Sequence, residues 1–373
     1  MKLLKNKKSF IALFLIFIIL SGCQRATISS PTEENLIKTS DILFFDFHNK
    51  LSTRTPDLFS NHKLLNGVIF AVPWSQIEPE RNKFDFSLID KKIDLWNKAG
   101  KKVVLKIVPY YDTRGNDATP HWIYENVPSI KFSSTKNDNF VIPKVWDAEF
   151  IKEYKNFIIA LAQHYNNNNK VDFIQIGIGH LGFLTAQPSK QGSEAFLGSG
   201  WSTLIWEKYA KDVIDIYSEN FNSKKLILTV TPLFLRNYLL KDNLETAFHI
   251  LDYAVERKFN VLFKGVDPDT TSFQDMVFLD VVKHLASLNL EGISLGFGDD
   301  WPLYGQTGSK FRDESDFKTS LDNIYNLWVS IDKKYPFYLV LLDDELASTQ
   351  KGNDKFNLKN YNSLVDFLNK LQN

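Results

Sequence analysis

Eight short apolar runs separated by longer stretches of mixed character constrain this sequence more than any other feature. They lie at 42–47, 67–72, 102–108, 172–178, 225–230, 261–266, 292–297 and 337–342. Each has the length of a strand and is apolar throughout rather than alternating, the pattern of parallel strands buried on both faces. Helical periodicity fills most of the intervals. From 87 to 99, Leu88, Ile89, Ile93 and Trp96 share a stripe, with Ser87 as the expected cap and Gly100 as the stop. Phe150, Tyr154, Phe157, Ile158, Leu161 and Tyr165 line a second stripe, and Leu321, Ile324, Tyr325, Trp328 and Ile331 a third. Eight such units predict an α/β chain folded as a single (β/α)8 TIM barrel over 41–373, a usual length for that fold. No glycine-rich phosphate loop follows an early run, which counts against a dinucleotide-binding sheet.

The N-terminus is a separate unit. Lys2, Lys5, Lys7 and Lys8 precede an unbroken apolar stretch from Phe10 to Leu20. A basic stub followed by about a dozen apolar residues is a secretory signal, too short for a comfortable membrane span. Leu20-Ser21-Gly22-Cys23 closes it. This stretch resembles the bacterial lipobox, which implies cleavage before Cys23, a diacylglyceryl thioether on its thiol and an acyl group on its amine. Two or more acyl chains anchor stably where one does not. The expected organisation is a lipoprotein signal peptide at 1–22, a polar flexible tether at 23–40 and the barrel at 41–373. The expected location is the cell envelope, with the lipid bilayer as a partner through Cys23. Gln24, not Asp, follows the cysteine, which in a Gram-negative cell points to the outer membrane.

Cys23 is the only cysteine, so internal disulfides, thiolate zinc sites and cysteine nucleophiles are excluded. Without the leader's lysines, 40 basic residues face 44 acidic ones, a net charge of about −4. No basic patch suggests a nucleic-acid partner. The seven histidines lack the paired spacing of metalloproteases, so neither a metal nor another cofactor is expected. The absence of Gly-x-Ser-x-Gly removes the nucleophile elbow of an esterase.

In a (β/α)8 barrel, chemistry belongs to the residues after each strand. Here these are Asp46-Phe47-His48, Pro73-Trp74, Pro109-Tyr110-Tyr111-Asp112, Gly179-His180 with Thr185-Ala186-Gln187, Thr229-Val230-Thr231-Pro232, Asp267-Pro268-Asp269, Gly298-Asp299-Asp300-Trp301 and Asp343-Asp344-Glu345. Aromatics and carboxylates dominate. Sugars offer flat C–H faces for stacking and hydroxyls for carboxylate and amide bonds, so carbohydrate is the expected ligand.

Val72-Pro73-Trp74-Ser75-Gln76-Ile77-Glu78-Pro79-Glu80, then Phe84-Asp85-Phe86 and Asp90, then Gly100-Lys101-Lys102-Val103-Val104-Leu105 resemble the clan A glycoside hydrolases, and among them the family 42 β-galactosidase-like barrels. Thr119-Pro120-His121-Trp122 and Pro143-Lys144-Val145-Trp146-Asp147 extend the likeness, which runs from about 67 to 179. It implies a glutamate acid/base after the fourth strand and a glutamate nucleophile at the seventh, about 5–5.5 Å apart in a retaining enzyme. This sequence departs from that pattern. No acid occurs between Phe173 and Glu194, and the seventh run is followed by Asp299 and Asp300.

Asp300 beside Trp301 is the first candidate carboxylate. Two adjacent acids repel, so one can hold a raised pKa; the alternative is a helix or loop cap with a solvated neighbour. Glu345, in an acidic triplet, is either the second catalytic carboxylate or part of an exposed turn. Asp267 and Asp269 read as a turn around proline, and Glu78 as scaffold. Trp74, Tyr110, Trp122 and Trp301 are candidate stacking platforms or core residues. His180, Gln187 and Asp299 are candidate sugar contacts, and Glu194 is a remote substitute acid. Trp96, Trp206 and Trp328 lie on helical stripes and read as packing. The expected function is a surface lipoprotein that binds oligo- or polysaccharide; if it also hydrolyses its ligand, Glu345 is the candidate acid and Asp300 the candidate nucleophile or base. The alternative is a barrel that binds or scaffolds glycan without catalysis.

Overall fold

The computed structural model describes residues 43–47, 62–111, 118–133, 139–187, 189–230, 234–235, 240–264, 273–288, 290–298, 314–342, 349, 351 and 356–372. Its strands are β1 (Leu43–Phe47), β2 (Gly67–Pro73), β3 (Lys102–Val108), β4 (Ser129–Phe132), β5 (Phe140–Pro143), β6 (Phe173–Gln175), β7 (Lys225–Val230), β8 (Asn260–Lys264), β9 (Leu295–Gly298) and β10 (Phe337–Leu342). The helices are α1 (Trp74–Ile77), α2 (Ser87–Lys98), α3 (Ala148–Tyr165), α4 (Lys190–Gly198), α5 (Thr203–Asn220), α6 (Leu240–Glu256), α7 (Phe273–Ser287), α8 (Glu314–Val329) and α9 (Leu358–Gln372), with a 3₁₀ turn at His121–Glu125.

All strands but β4 and β5 pair in parallel and close into one eight-stranded barrel, β10 returning to pair with β1. The predicted barrel is therefore present, and the eight apolar runs coincide with its strands to within a few residues. The run expected from 292 begins as a strand only at Leu295, because Gly292 turns the chain at φ +79°. The fourth run pairs regularly only as far as Gln175. β4 and β5 form an antiparallel hairpin between β3 and α3, which the pattern of runs did not announce.

Strand periodicity sorts each strand into two faces. Val68, Phe70, Val103, Leu105, Leu228, Phe263 and Leu339 join the large core between barrel and helices. Ile69, Val104, Ile227, Leu262, Tyr338 and Val340 form a second cluster, with Phe173 packed against it. This smaller cluster is the inward layer, so the barrel is filled rather than hollow.

Helix ends follow from local chemistry. Before α2 the N-cap position is Phe86, which offers no side-chain cap bond. Ser87 is the first helical residue, and the Asp85 carboxylate accepts its backbone N–H at 2.9 Å. Asp147 caps α3 by accepting from Glu149 N, and Ser202 caps α5 by accepting from Ile205 N. Trp96, Trp206 and Trp328 are buried on their helices, as their stripes predict. Among the described residues no helix is long and apolar enough to cross a membrane.

Candidate functional site

The rim after β2 is a packed knot of aromatics. Trp74, the first residue of α1, has no exposed surface. Its ring stacks on Phe157 at 5.3 Å and meets Trp122 and Phe150 edge-on at 5.8 and 5.7 Å. Its indole N–H donates to Glu78 Oε2 at 2.7 Å, and Glu78 Oε1 accepts Asn82 N at 2.8 Å. Trp122 donates to the Glu78 carbonyl and carries the Arg81 guanidinium 4.9 Å above its ring. A sugar platform needs an open face. Trp74 has none, and its role here is packing.

Glu78 is the hub of this knot, as its scaffold reading requires. Burial pushes its carboxyl above the ordinary range, and Glu153 adds to the rise. The bonds from Trp74 and Asn82 and the Arg81 charge pull the other way.

After β3 and β6 the chain ties a second knot. Tyr110, also buried, donates its hydroxyl to the Ala186 carbonyl at 2.6 Å and pairs in parallel with His180. His180 is 7% exposed, and its backbone N–H donates to the Thr185 carbonyl at 2.8 Å. Gly179 N donates to Phe183 O at 2.7 Å, and the turn between them uses Leu181 and Gly182 at φ +55° and +81°. A Cβ on Gly179 would fall 2.2 Å from the Thr185 carbonyl oxygen, and one on Gly177 2.4 Å from that of Ile107. No side chain can project from either position, so neither can present a carboxylate. Gln187 is fully buried; its Oε1 accepts Ser189 N at 3.0 Å, and its Nε2 has no partner.

A group of residues, of which the sequence analysis named only Thr229 among the strand ends, lies just above the inward apolar layer. Lys106, Gln175, Thr229 and Lys264 each follow an inward residue by two positions, a step of about 6.6 Å toward the carboxyl ends of the strands. All four are fully buried. Lys106 pairs in register with Gln175, and its ammonium lies 5.2 Å from the Phe183 ring centroid. Both amide atoms of Gln175 and the hydroxyl of Thr229 have no hydrogen-bond partner. A buried polar group left unpaired costs about 1–3 kcal/mol, so two on adjacent strands are an exception that calls for a reason. The sequence did carry a signal: a lone polar residue interrupts each of these apolar runs.

Asp299, Asp300, Trp301, Glu345 and Cys23 lie outside the described residues, as do Asp267 and Asp269. The strands that lead to the candidate acids are described. β9 ends at Gly298 and β10 at Leu342, and the two are neighbours, with Val340 opposite Gly298. Asp300 follows the first end by two residues and Glu345 the second by three. Among the described residues no cluster of three or more His, Cys, Asp or Glu side chains could hold a metal ion.

A closed ring of eight parallel strands with helices in the intervals defines the chain as a (β/α)8 barrel. Its sequence matches the β-galactosidase family of glycoside hydrolases, family 42, over residues 47–183, less than half of the chain. Xylanase 10B from Thermotoga petrophila RKU-1, crystallised with xylobiose, superposes with a TM-score of 0.55 at 12% identity, covering 90% of this chain and 96% of that one. Native xylanase 10B from Thermotoga maritima gives 0.54 at 12% identity, with coverages of 91% and 98%. A β-galactosidase from the psychrophilic Marinomonas ef1 gives 0.53 at 11% identity, covering 89% of this chain but 59% of that one. At such identities the likeness is one of fold. No curated protein matches the sequence.

Proposed function

We propose that this chain is a lipid-anchored protein of the cell envelope that binds oligo- or polysaccharide at the carboxyl end of its barrel. Hydrolysis in this reading uses a displaced carboxylate pair. Glu345 protonates the leaving oxygen, and Asp300 acts as nucleophile or base on the other side of the ring. The observation that supports the pair is the adjacency of β9 and β10, whose ends immediately precede the two acids in sequence. Neighbouring parallel strands lie about 4.8 Å apart, a separation compatible with carboxyls that must sit within about 10 Å of one another. Trp122, Trp301, His180, Gln187 and Asp299 are the remaining candidate contacts. The Cys23 anchor rests on the lipobox resemblance alone, and mass spectrometry of the mature N-terminus tests it.

One observation favours a second reading, a glycan-binding or scaffolding barrel without catalysis. The rim after β6 has no acid, and Gly177 and Gly179 leave no room for one. Aryl glycosides and xylo-, galacto- and gluco-configured oligosaccharides, screened for both binding and turnover, separate the two. Turnover selects the hydrolase, and binding without turnover selects the scaffold. Neither binding nor turnover across the panel rejects the saccharide proposal.

A further inference from the structure

We propose that Gln175 and Thr229 are the floor contacts of the saccharide site, where they read adjacent hydroxyls of the sugar held in the barrel mouth. This inference rests on the saccharide reading above. Gln175 ends β6, and Thr229 stands one residue before the end of β7, its neighbour in the barrel. Both are in phase with the inward layer and one step above it, on the side where ligands bind in this architecture.

Many polar side chains elsewhere in the core are paired, and the buried Gln187 keeps one bond through its Oε1 although its Nε2 has none. Trp206 donates to the Leu184 carbonyl, Tyr209 to that of Ile178, Tyr154 to that of Gly177, and Asn260 to that of Leu226. Gln175 and Thr229 stand apart from that pattern, because all their side-chain polar atoms are fully buried and unpaired. An amide offers a donor and an acceptor side by side, and a hydroxyl offers both, which suits neighbouring sugar hydroxyls. If the two residues served only to fill the barrel, hydrocarbon of the same shape would serve better. Polar atoms that weaken the free protein while serving a ligand are an instance of the trade-off between stability and function. Both groups are sealed from solvent in this conformation, so the proposal requires that binding be coupled to opening of the barrel mouth.

Titration of the purified full-length protein with xylo- and galacto-oligosaccharides, with Tm measured alongside, tests the proposal on Gln175→Met, Thr229→Val and Thr229→Ser. Gln175→Met and Thr229→Val are expected to keep or raise Tm and to weaken sugar binding at least tenfold, while Thr229→Ser binds as the wild type does. Lowered Tm with unchanged affinity in the first two assigns the groups to internal water or framework and overturns the proposal. Unchanged affinity at unchanged Tm overturns it as well. Sugar binding by the wild type that survives these substitutions removes the floor contact and leaves the saccharide reading standing. A wild type that binds neither sugar removes both.

Discussion

The rim after β2, β3 and β6 and the rim after β9 and β10 are made of different materials. The first carries the family likeness, and its residues are spent on packing. Trp74 is enclosed by Phe150, Phe157 and Trp122, Glu78 is held by two hydrogen bonds, and Tyr110 is tied to Ala186. Glycines at 177 and 179 close that rim against their neighbours' carbonyls. Beyond β9 and β10 the sequence instead supplies Asp299, Asp300, Trp301 and Glu345. The contrast teaches that a family motif can mark the scaffold of a barrel rather than its chemistry. In the proposed account the packed half of the barrel positions the strand ends, and the acids come from the other half.

Substitutions in the first rim should therefore act on stability. Trp74→Ala removes a fully buried indole and leaves Glu78 with a lost donor, so a loss of about 3–5 kcal/mol is expected in urea unfolding. A loss below about 1 kcal/mol would mean that this rim is looser than its packing implies. Gly179→Ala forces a Cβ onto the Thr185 carbonyl and should cost about 1–3 kcal/mol, read from the same transitions. Wild-type stability in that variant would reopen the β6 end as a place for a side chain.

The smallest effect is a pH dependence at Glu78. Its carboxyl pKa is raised in the folded chain, so the native state holds this proton more tightly than the unfolded state. The linked contribution is present below the ordinary carboxylate pKa near 4.5 and is lost as pH rises through the folded value. Glu78→Gln should flatten that part of the profile of Tm against pH. An unchanged slope would assign it to other groups.

Much of the barrel was legible because parallel strands buried on both faces are predominantly apolar, and the runs 102–108, 225–230 and 337–342 match β3, β7 and β10 end to end. The hairpin of β4 and β5 was not legible. Its four-residue strands, such as Phe140–Pro143, are too short to stand out as runs. Ser87 looked like a cap by residue type, but Asp85 reaches the first N–H from outside the helix. At the site, residue type nominated Trp74 as a platform, whereas burial decides that role and depends on α3, which joins the knot from more than seventy residues away. Lys106 and Gln175 were passed over because the apolar runs were read as uniform. Lone polar residues inside such runs are informative, since a strand with two buried faces has nowhere to hide them.

The central claim is that chemistry has moved to the rim after β9 and β10. Steady-state kinetics of Asp300→Asn and Glu345→Gln on the best substrate of the glycoside panel test it most directly, with Tm as the control for folding. The account predicts that each amide lowers kcat/KM by more than tenfold, or about 1.4 kcal/mol of transition-state stabilisation, at little cost in Tm. Turnover retained to within tenfold in either variant would contradict the role given to that residue, and retention in both would contradict the claim.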